Sequence, residues 1–234
     1  GYTVTAVARR ESNLESLMAE LPGRGHTYVV ADLSRKTGVS AVADSIMETR
    51  CNLLVNNAGI GKLEPFYVSK LSTQQGMLDL NCGAVLALSH CFLNQAQDGD
   101  ALINVSSVVS VLPTPAQPVY SASKAFITSF SECLWEEQRH RGIYVMGLCP
   151  GITETEFIRA ATDGESDGQN LPAALSQTSD EVVGEALVAL DKRREPIVVT
   201  GRANRVMFSL LPRMMSRFRL LKTMAVMGDP EKVL

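Results

Sequence analysis

What most restricts the fold of this chain is an alternation. Short runs of apolar, often β-branched residues recur along it: Thr3–Ala8 (TVTAVA), Thr27–Val30 (TYVV), Leu53–Val55 (LLV), Ala101–Val105 (ALINV), Ile143–Cys149 (IYVMGLC) and Pro196–Thr200 (PIVVT). Between them lie longer stretches with apolar residues at helical spacing: Leu14, Leu17, Met18 and Leu21, then Ala41–Met47, Thr73–Asn94, Tyr120–Arg141, and a helix reaching Leu190. Strands that alternate with helices imply βα units wound into a parallel sheet, because a parallel neighbour is reached only through a crossover that covers one face. A strand as wholly apolar as Leu53–Val55 predicts cover on both faces. The expected fold is therefore α/β, a doubly wound parallel sheet between two helix layers.

Local signals set the element ends. Ser12 with Glu15, and Thr178 with Glu181, have capping-box spacing, in which each residue satisfies the other's free backbone N–H. Pro22 and Gly23 stop the first helix, and Pro150-Gly151 ends the strand before it. Thr162–Asn170 (TDGESDGQN) is polar and glycine-rich and reads as a mobile loop.

The 234 residues suit one domain with a sizeable core, at 45% hydrophobic and 20% charged residues. A net charge of −3 gives no global positive field to attract nucleic acid. Cys51, Cys82, Cys91, Cys133 and Cys149 are odd in number and form no CxxC pair, which reads as reduced thiols in a cytoplasmic protein. His26, His90 and His140 have no metal-ligand spacing, so no metal is expected. Gly1–Ala8 runs into Arg9 and Arg10 too soon for a signal peptide.

The chemistry concentrates at strand ends. In Tyr120-Ser-Ala-Ser-Lys124 the phenol and the ammonium stand four residues apart, on one helical face. A nearby ammonium favours phenolate and lowers a tyrosine pKa, fitting the tyrosine to exchange a proton with a substrate oxygen. Ser107, thirteen residues before Tyr120, closes the strand-like run Leu102–Ser107, and a hydroxyl there faces the crevice where open α/β sheets bind ligands. Asn56-Asn57-Ala58-Gly59 closes the Leu53 strand. Asn81 stands inside a helix, where asparagine is a poor choice, and so implies a kink or a bound water.

This ordered set of NNAG, a helical asparagine, Ser and Tyr thirteen apart, Tyr-x-x-x-Lys and Pro-Gly resembles the classical short-chain dehydrogenase/reductase family from Gly1 to about Gly201. The resemblance implies a Rossmann-type three-layer α/β/α domain over 1–201, with 202–234 as a C-terminal helical extension of it. It implies a carbonyl–alcohol interconversion by hydride transfer to or from a nicotinamide cofactor, with Asn81, Ser107, Tyr120 and Lys124 as the catalytic set. Tyr120 is the general acid/base, Ser107 polarises the substrate oxygen, and Ser106 is its neighbouring alternative. Lys124 binds the nicotinamide ribose, and Asn81 holds a relay water. The cofactor residues implied are Arg9, Arg10, Asp32, Leu33, Asn57, Ala58, Gly59, Tyr120, Lys124, Pro150, Gly151, Thr153 and Thr155. An arginine rather than an acid after the TVTAVA strand suits a 2′-phosphate, which favours NADP(H) over NAD(H). A homodimer or homotetramer, and a small carbonyl or alcohol substrate of lipophilic character, complete the expectation.

Two features stand apart. The resemblance calls for an opening strand, a glycine-rich turn and a helix N-terminus that holds a pyrophosphate, and no TGxxxGxG occurs in the 234 residues. The expectation is that this unit is missing from the start of the sequence; the alternative is a catalytically silent binding or regulatory protein of the same fold. The second feature is Arg205–Met227, rich in Leu, Met, Phe and Arg and free of acids. Its arginines exclude a bilayer span. Two readings stay open: an amphipathic helix resting on a membrane surface, or one packed on the fold near the substrate pocket or a subunit interface. The methionines there suggest adaptable packing around a lipophilic substrate.

Overall fold

A computed structural model describes residues 1–112, 114–164 and 175–227. The elements in chain order are β1 (Thr5–Ala8), α1 (Glu11–Glu20), β2 (Thr27–Val30), α2 (Lys36–Glu48), β3 (Leu53–Asn56), α3 (Leu71–Leu78), α4 (Val85–Gln95), β4 (Ala101–Val105) and α5 (Pro118–Gln138). There follow β5 (Tyr144–Cys149), β6 (Ile152–Thr153), α6 (Phe157–Ala161), β7 (Ser176–Gln177), α7 (Ser179–Lys192), β8 (Ile197–Val199), α8 (Arg202–Met214) and α9 (Arg217–Met227). Strands β3-β4-β5-β8 form one parallel sheet in that order. Strands β1 and β2 form a second parallel pair.

The three layers follow from side-chain alternation along β4 and β5. Ala101, Ile103, Met146 and Leu148 pack against Val182, Ala186 and Leu190 of α7 on one face. Leu102 and Val145 point the other way, against Phe92 and Leu93 of α4 and Leu134 of α5. Helix α2 extends this second layer under the β1–β2 pair, where Val42 and Ile46 meet Ala31, Leu88 and Leu54. One helix layer thus carries both pieces of sheet. The run Leu71–Gln95 is long and apolar enough to cross a membrane by length and composition, yet Met77, Leu88 and Phe92 are buried in this core.

Among the described residues, strands β3 and β1 each pair along one edge only, with β4 and β2 respectively. The prediction that both faces of Leu53–Val55 are covered is therefore incorrect: Val55 is 48% exposed. Helix α7 covers β4, β5 and β8, while Val55, Val183 and Leu187 all face an open cavity. A strand inserted between β1 and β3 would join the two pieces into a single sheet.

The capping box at Thr178 and Glu181 is present: Thr178 Oγ1 accepts from the Glu181 N–H at 3.2 Å, and Glu181 Oε2 accepts from the Thr178 N–H at 2.9 Å. The one predicted at Ser12 and Glu15 does not form. β1 ends at Ala8 and the chain turns at once, so α1 begins at Glu11 and Ser12 falls inside its first turn. The expected Thr73–Asn94 helix is two helices joined by a π-helical turn at Asp79–Ala84. Of the expected loop Thr162–Asn170, residues 165–170 lie outside the described residues. Arg205–Met227 falls within the pair α8 and α9, whose inner faces bury Phe208 and Leu220 against Leu112.

Candidate active site

The carboxyl ends of β3, β4 and β5 open onto a cavity of about 1090 Å³, whose walls include Asn57, Gly59, Ser107, Tyr120, Lys124, Pro150, Gly151, Thr153 and Thr155. β4 delivers the two serines. Ser106 turns inward, its hydroxyl 2.8 Å from the Lys124 carbonyl oxygen and 2.7 Å from Thr128 Oγ1, so it ties the strand to α5. Ser107 faces the cavity, accepts a 3.4 Å bond from the Val109 N–H, and sits beside the Tyr120 hydroxyl, whose ionised form it favours. The geometry thus separates two neighbouring serines into a structural one and one beside the phenol.

Pro118 sits in the first turn of α5, where its missing N–H costs nothing and its fixed φ suits a helix start. That start places Tyr120 and Lys124 on one buried face. The ammonium lies 5.6 Å from the centroid of the Tyr120 ring and donates to the Val105 carbonyl at 2.8 Å. The expected lowering of Tyr120 by Lys124 is absent. Burial pushes the Tyr120 phenol up to about 12, with the neighbouring Ser107 hydroxyl pulling it back. Burial pushes Lys124 down to about 8, and no carboxylate among the described residues compensates the desolvated charge. At neutral pH Tyr120 is a protonated donor beside a cation held in low dielectric.

Asn81 lies in the π-turn and is 1% exposed. Its amide donates to the Ile60 carbonyl at 2.9 Å and to Ser123 Oγ at 3.1 Å, and its oxygen accepts from the Ile60 N–H at 3.0 Å. It thereby clamps the loop after β3 to α5. A Cβ on Gly59 would stand 3.3 Å from Asn81 Oδ1 and 3.4 Å from Lys124 Nζ, so glycine keeps this floor low. On the far wall a Cβ on Gly151 would stand 2.1 Å from the Asn204 amide of α8, which lets α8 close against the loop after β5.

The adenosine-side residues are more scattered. Arg9 and Arg10 follow β1 and are exposed. Arg10 reaches Glu156 at 3.8 Å, whereas Arg9 lies close enough to Asp32 to favour its charged form. Asp32 takes 3.0 and 2.7 Å bonds from the Ser34 N–H and hydroxyl, which hold its carboxyl below the usual range. Leu33 points away, into the core beside α2. Asn57 and Ala58 are exposed at the end of β3. Thr153 and Thr155 line the cavity and also bond the backbone of their own loop.

A nicotinamide cofactor fits part of this site. The buried Lys124 ammonium has one hydrogen-bond acceptor among the described residues, and the low floor at Gly59 leaves its other N–H groups facing the cavity. Tyr120, Lys124, Thr153 and Thr155 would hold the nicotinamide and its ribose. The diphosphate is less well served, since these 234 residues contain no glycine-rich turn.

Sequence reasoning anticipated methionines from Arg205–Met227 in the pocket and missed the rest of its apolar half. Phe157 sets its ring 5.4 Å from that of Tyr120, at 45°. Leu112, Phe208, Leu211 and Met224 complete the wall. Of the methionines expected near substrate, Met207 and Met224 line the cavity and Met214 is 78% exposed. Nothing near Phe157 in the sequence marks it; only its contact with Tyr120 does.

Residues 1–166 match the family model for short chain dehydrogenases. The chain is 34% identical over 173 residues to a sulfoacetaldehyde reductase of Chromohalobacter salexigens, covering 70% of this chain and 68% of that protein. It is 31% identical over 194 residues to carbonyl reductase family member 4 of Danio rerio, covering 82% and 81%. Among solved structures, a short-chain dehydrogenase from Sphingobium yanoikuyae in complex with NADPH superposes with a TM-score of 0.75 at 28% identity, covering 94% of this chain and 90% of that one. The fold and the ordered strand-end residues define a Rossmann-type oxidoreductase. The chain belongs to the short-chain dehydrogenase/reductase family, enzymes that act on CH–OH and carbonyl groups with a nicotinamide cofactor.

Proposed function

We propose that this chain is an NADP(H)-dependent carbonyl reductase in which Tyr120 donates the proton and Ser107 and Lys124 set its geometry and charge. The observation that carries this reading is the convergence of Ser107, Tyr120 and Lys124, from β4 and α5, on one wall of one cavity, with Asn81 of the π-turn buried behind it and clamping the loop that carries Gly59. When bound, the cofactor supplies the hydride to the carbonyl carbon.

Every other step belongs to the chain's own side chains. The carbonyl oxygen takes hydrogen bonds from the Ser107 and Tyr120 hydroxyls, which polarise it. As negative charge develops on that oxygen, the Tyr120 proton moves to it. The Tyr120 pKa of about 12 keeps the phenol protonated at neutral pH, so the resting site is poised for reduction. The Lys124 cation, 5.6 Å from the ring centroid, stabilises the phenolate left behind, while burial favours its reprotonation. Asn81 fixes the loop that carries Gly59 and so sets the height of the cofactor floor.

The preference for the 2′-phosphorylated cofactor rests on Arg9, an exposed guanidinium at the end of β1 with Arg10 beside it. The NADPH complex of the Sphingobium relative supports it. The bare edges of β1 and β3, and the cavity running beneath Val55, offer the place for the strand and glycine-rich turn that the diphosphate needs.

Stopped-flow fluorescence with NADPH and NADH, followed by turnover of aldehydes and ketones by wild type and Tyr120→Phe, tests the proposal. Turnover lost in Tyr120→Phe with NADPH binding retained supports it. A fully active Tyr120→Phe sinks the mechanism, and a folded protein that binds neither nucleotide favours a silent binding protein.

A further inference from the structure

The outer face of α8 and α9 has a composition unlike the rest of the surface. Residues 202–227 hold Arg202, Arg205, Arg213, Arg217, Arg219 and Lys222 and no Asp or Glu. The other 208 residues hold 16 of the 22 Lys and Arg against all 25 Asp and Glu, a net charge of −9. The cations are interleaved with apolar side chains that nothing among the described residues covers: Val206 is 59% exposed, Leu210 49%, Met214 78% and Phe218 69%. On α8 the helical period sets Arg202, Val206, Leu210 and Arg213 on one outward face, opposite the buried Asn204 and Phe208.

Water disfavours such a face. Of the six cations, Arg205 pairs with Glu185 at 3.4 Å and Arg217 donates to the Val111 carbonyl at 3.2 Å, and no ion pair with a carboxylate is seen for the other four or for Arg217 among the described residues. An anionic bilayer satisfies both halves at once, because apolar side chains enter the acyl boundary while guanidinium groups pair with headgroup phosphates. Beneath α9 lies a second cavity of about 540 Å³, walled by Pro118, Ala122, Ala125 and Leu221 with Arg217 and Lys222. Apolar walls with two cations suit an acyl chain and its anionic head.

The opposite face of the same two helices is the wall of the active site. Met207, Phe208, Leu211 and Met224 line the large cavity with Tyr120 and Phe157. Among the described lining residues Lys124 is the only charged one. We propose that α8 and α9 rest on the surface of an anionic bilayer and that the carbonyl substrate is an uncharged, lipophilic molecule taken up from that bilayer. The substrate half of this inference rests on the reductase reading above; the membrane half does not.

The test is co-sedimentation of the full chain with vesicles of phosphatidylcholine alone, or of equal parts phosphatidylcholine and phosphatidylglycerol. Binding is expected to the anionic vesicles and to fall as salt rises from about 0.1 M to about 1 M, where screening shortens the reach of each charge. The variants Leu210→Ser/Phe218→Ser and Arg213→Gln/Arg219→Gln change outward-facing side chains only, and each should weaken binding roughly tenfold or more. Both variants should keep wild-type turnover of a water-soluble aldehyde, which also reports that they fold. With a long-chain ketone dissolved in the anionic vesicles, their rates should drop in step with binding.

Equal binding to both vesicle types, or none to either, overturns the bilayer proposal. Loss of a dimer on size exclusion in the same variants overturns it in favour of a second copy of the chain on this face. Vesicle binding without turnover of any carbonyl keeps the surface and removes the reductase reading. Unchanged rates on the vesicle-borne ketone remove the delivery route.

Discussion

The carboxyl ends of β4 and of β1 serve the same cleft and are built on different terms. At β4, Ser107, Tyr120 and Lys124 are all less than 10% exposed, and Asn81, at 1%, ties the loop after β3 to α5 through two hydrogen bonds to Ile60 and one to Ser123. At β1, Arg9 and Arg10 stand in solvent, and Arg10 holds Glu156 across 3.8 Å with both side chains exposed. Removing water makes a few fixed dipoles strong, so a buried constellation can act on a bond. An exposed guanidinium acts on a soluble dianion by charge alone, in competition with salt. The difference teaches where substitution should touch chemistry and where it should touch only binding.

The hardest test of that contrast is Tyr120→Phe, expected to lower kcat by about 10³-fold with little change in cofactor Kd, because the proton donor is lost and the packing is kept. A loss of less than tenfold in single-turnover rate would break the contrast at its strong end. Ser107→Ala is expected to cost about 10²-fold in kcat/KM, read with the same substrate, since one of two donors to the oxygen remains. Equal loss for Ser106→Ala in kcat, at unchanged stability, would reverse the assignment of the two serines.

Lys124 sharpens the comparison through stability. Its pKa is about 8 in the folded chain and 10.5 when unperturbed, so between these values the unfolded chain binds more protons and stability rises with pH. The rise amounts to about 3 kcal/mol at most, at ~1.4 kcal/mol per unit. Tyr120 acts in the opposite sense: its pKa of about 12 against 10.0 makes stability fall as pH climbs above 10. Urea denaturation of Lys124→Met should lose the rise from pH 8 to 10, leaving the fall contributed by the buried thiols whose pKa burial raises, and a pH dependence identical to wild type would remove the buried charge from the account. At the exposed end, Arg9→Ala should raise Kd for NADPH about tenfold and leave NADH nearly unchanged. Arg10→Ala should move either by less than about threefold, in keeping with a surface ion pair. Equal weakening of both nucleotides by Arg9→Ala would remove the cofactor preference.

What the sequence revealed divides along similar lines. Thr178 and Glu181 were legible because a capping box is made by residues three apart, and Tyr120 and Lys124 because one helical face is set by spacing. Asn81 was legible through its awkwardness as a helical residue. Ser12 misled, because the end of β1 decides where α1 begins, and that depends on pairing with β2. Val55 misled for a related reason: apolar character states a need for cover, and cover comes from elsewhere in the chain. The pKa order of Tyr120 and Lys124 was hidden since burial, a property of the whole fold, outweighs their mutual spacing. Phe157, Asn204 and the strand pair β6–β7 leave no local trace at all.

The π-turn at Asp79–Ala84 works as a phase shifter. A single widened turn accommodates one residue more than an α-helix would, so Met77 before it and Val85, Leu88 and Phe92 after it reach the core on different angular registers. Removing the one extra residue would restore a regular helix and leave Leu88 and Phe92 in phase with the core. Tightening the turn to a regular helix with every residue kept would instead swing everything downstream by roughly 100° and carry Leu88 and Phe92 off the core. The wide turn is therefore what reconciles the present length of this segment with one continuous buried face: substitutions that close it would rotate an entire helix out of its layer, whereas loss of its extra residue would not.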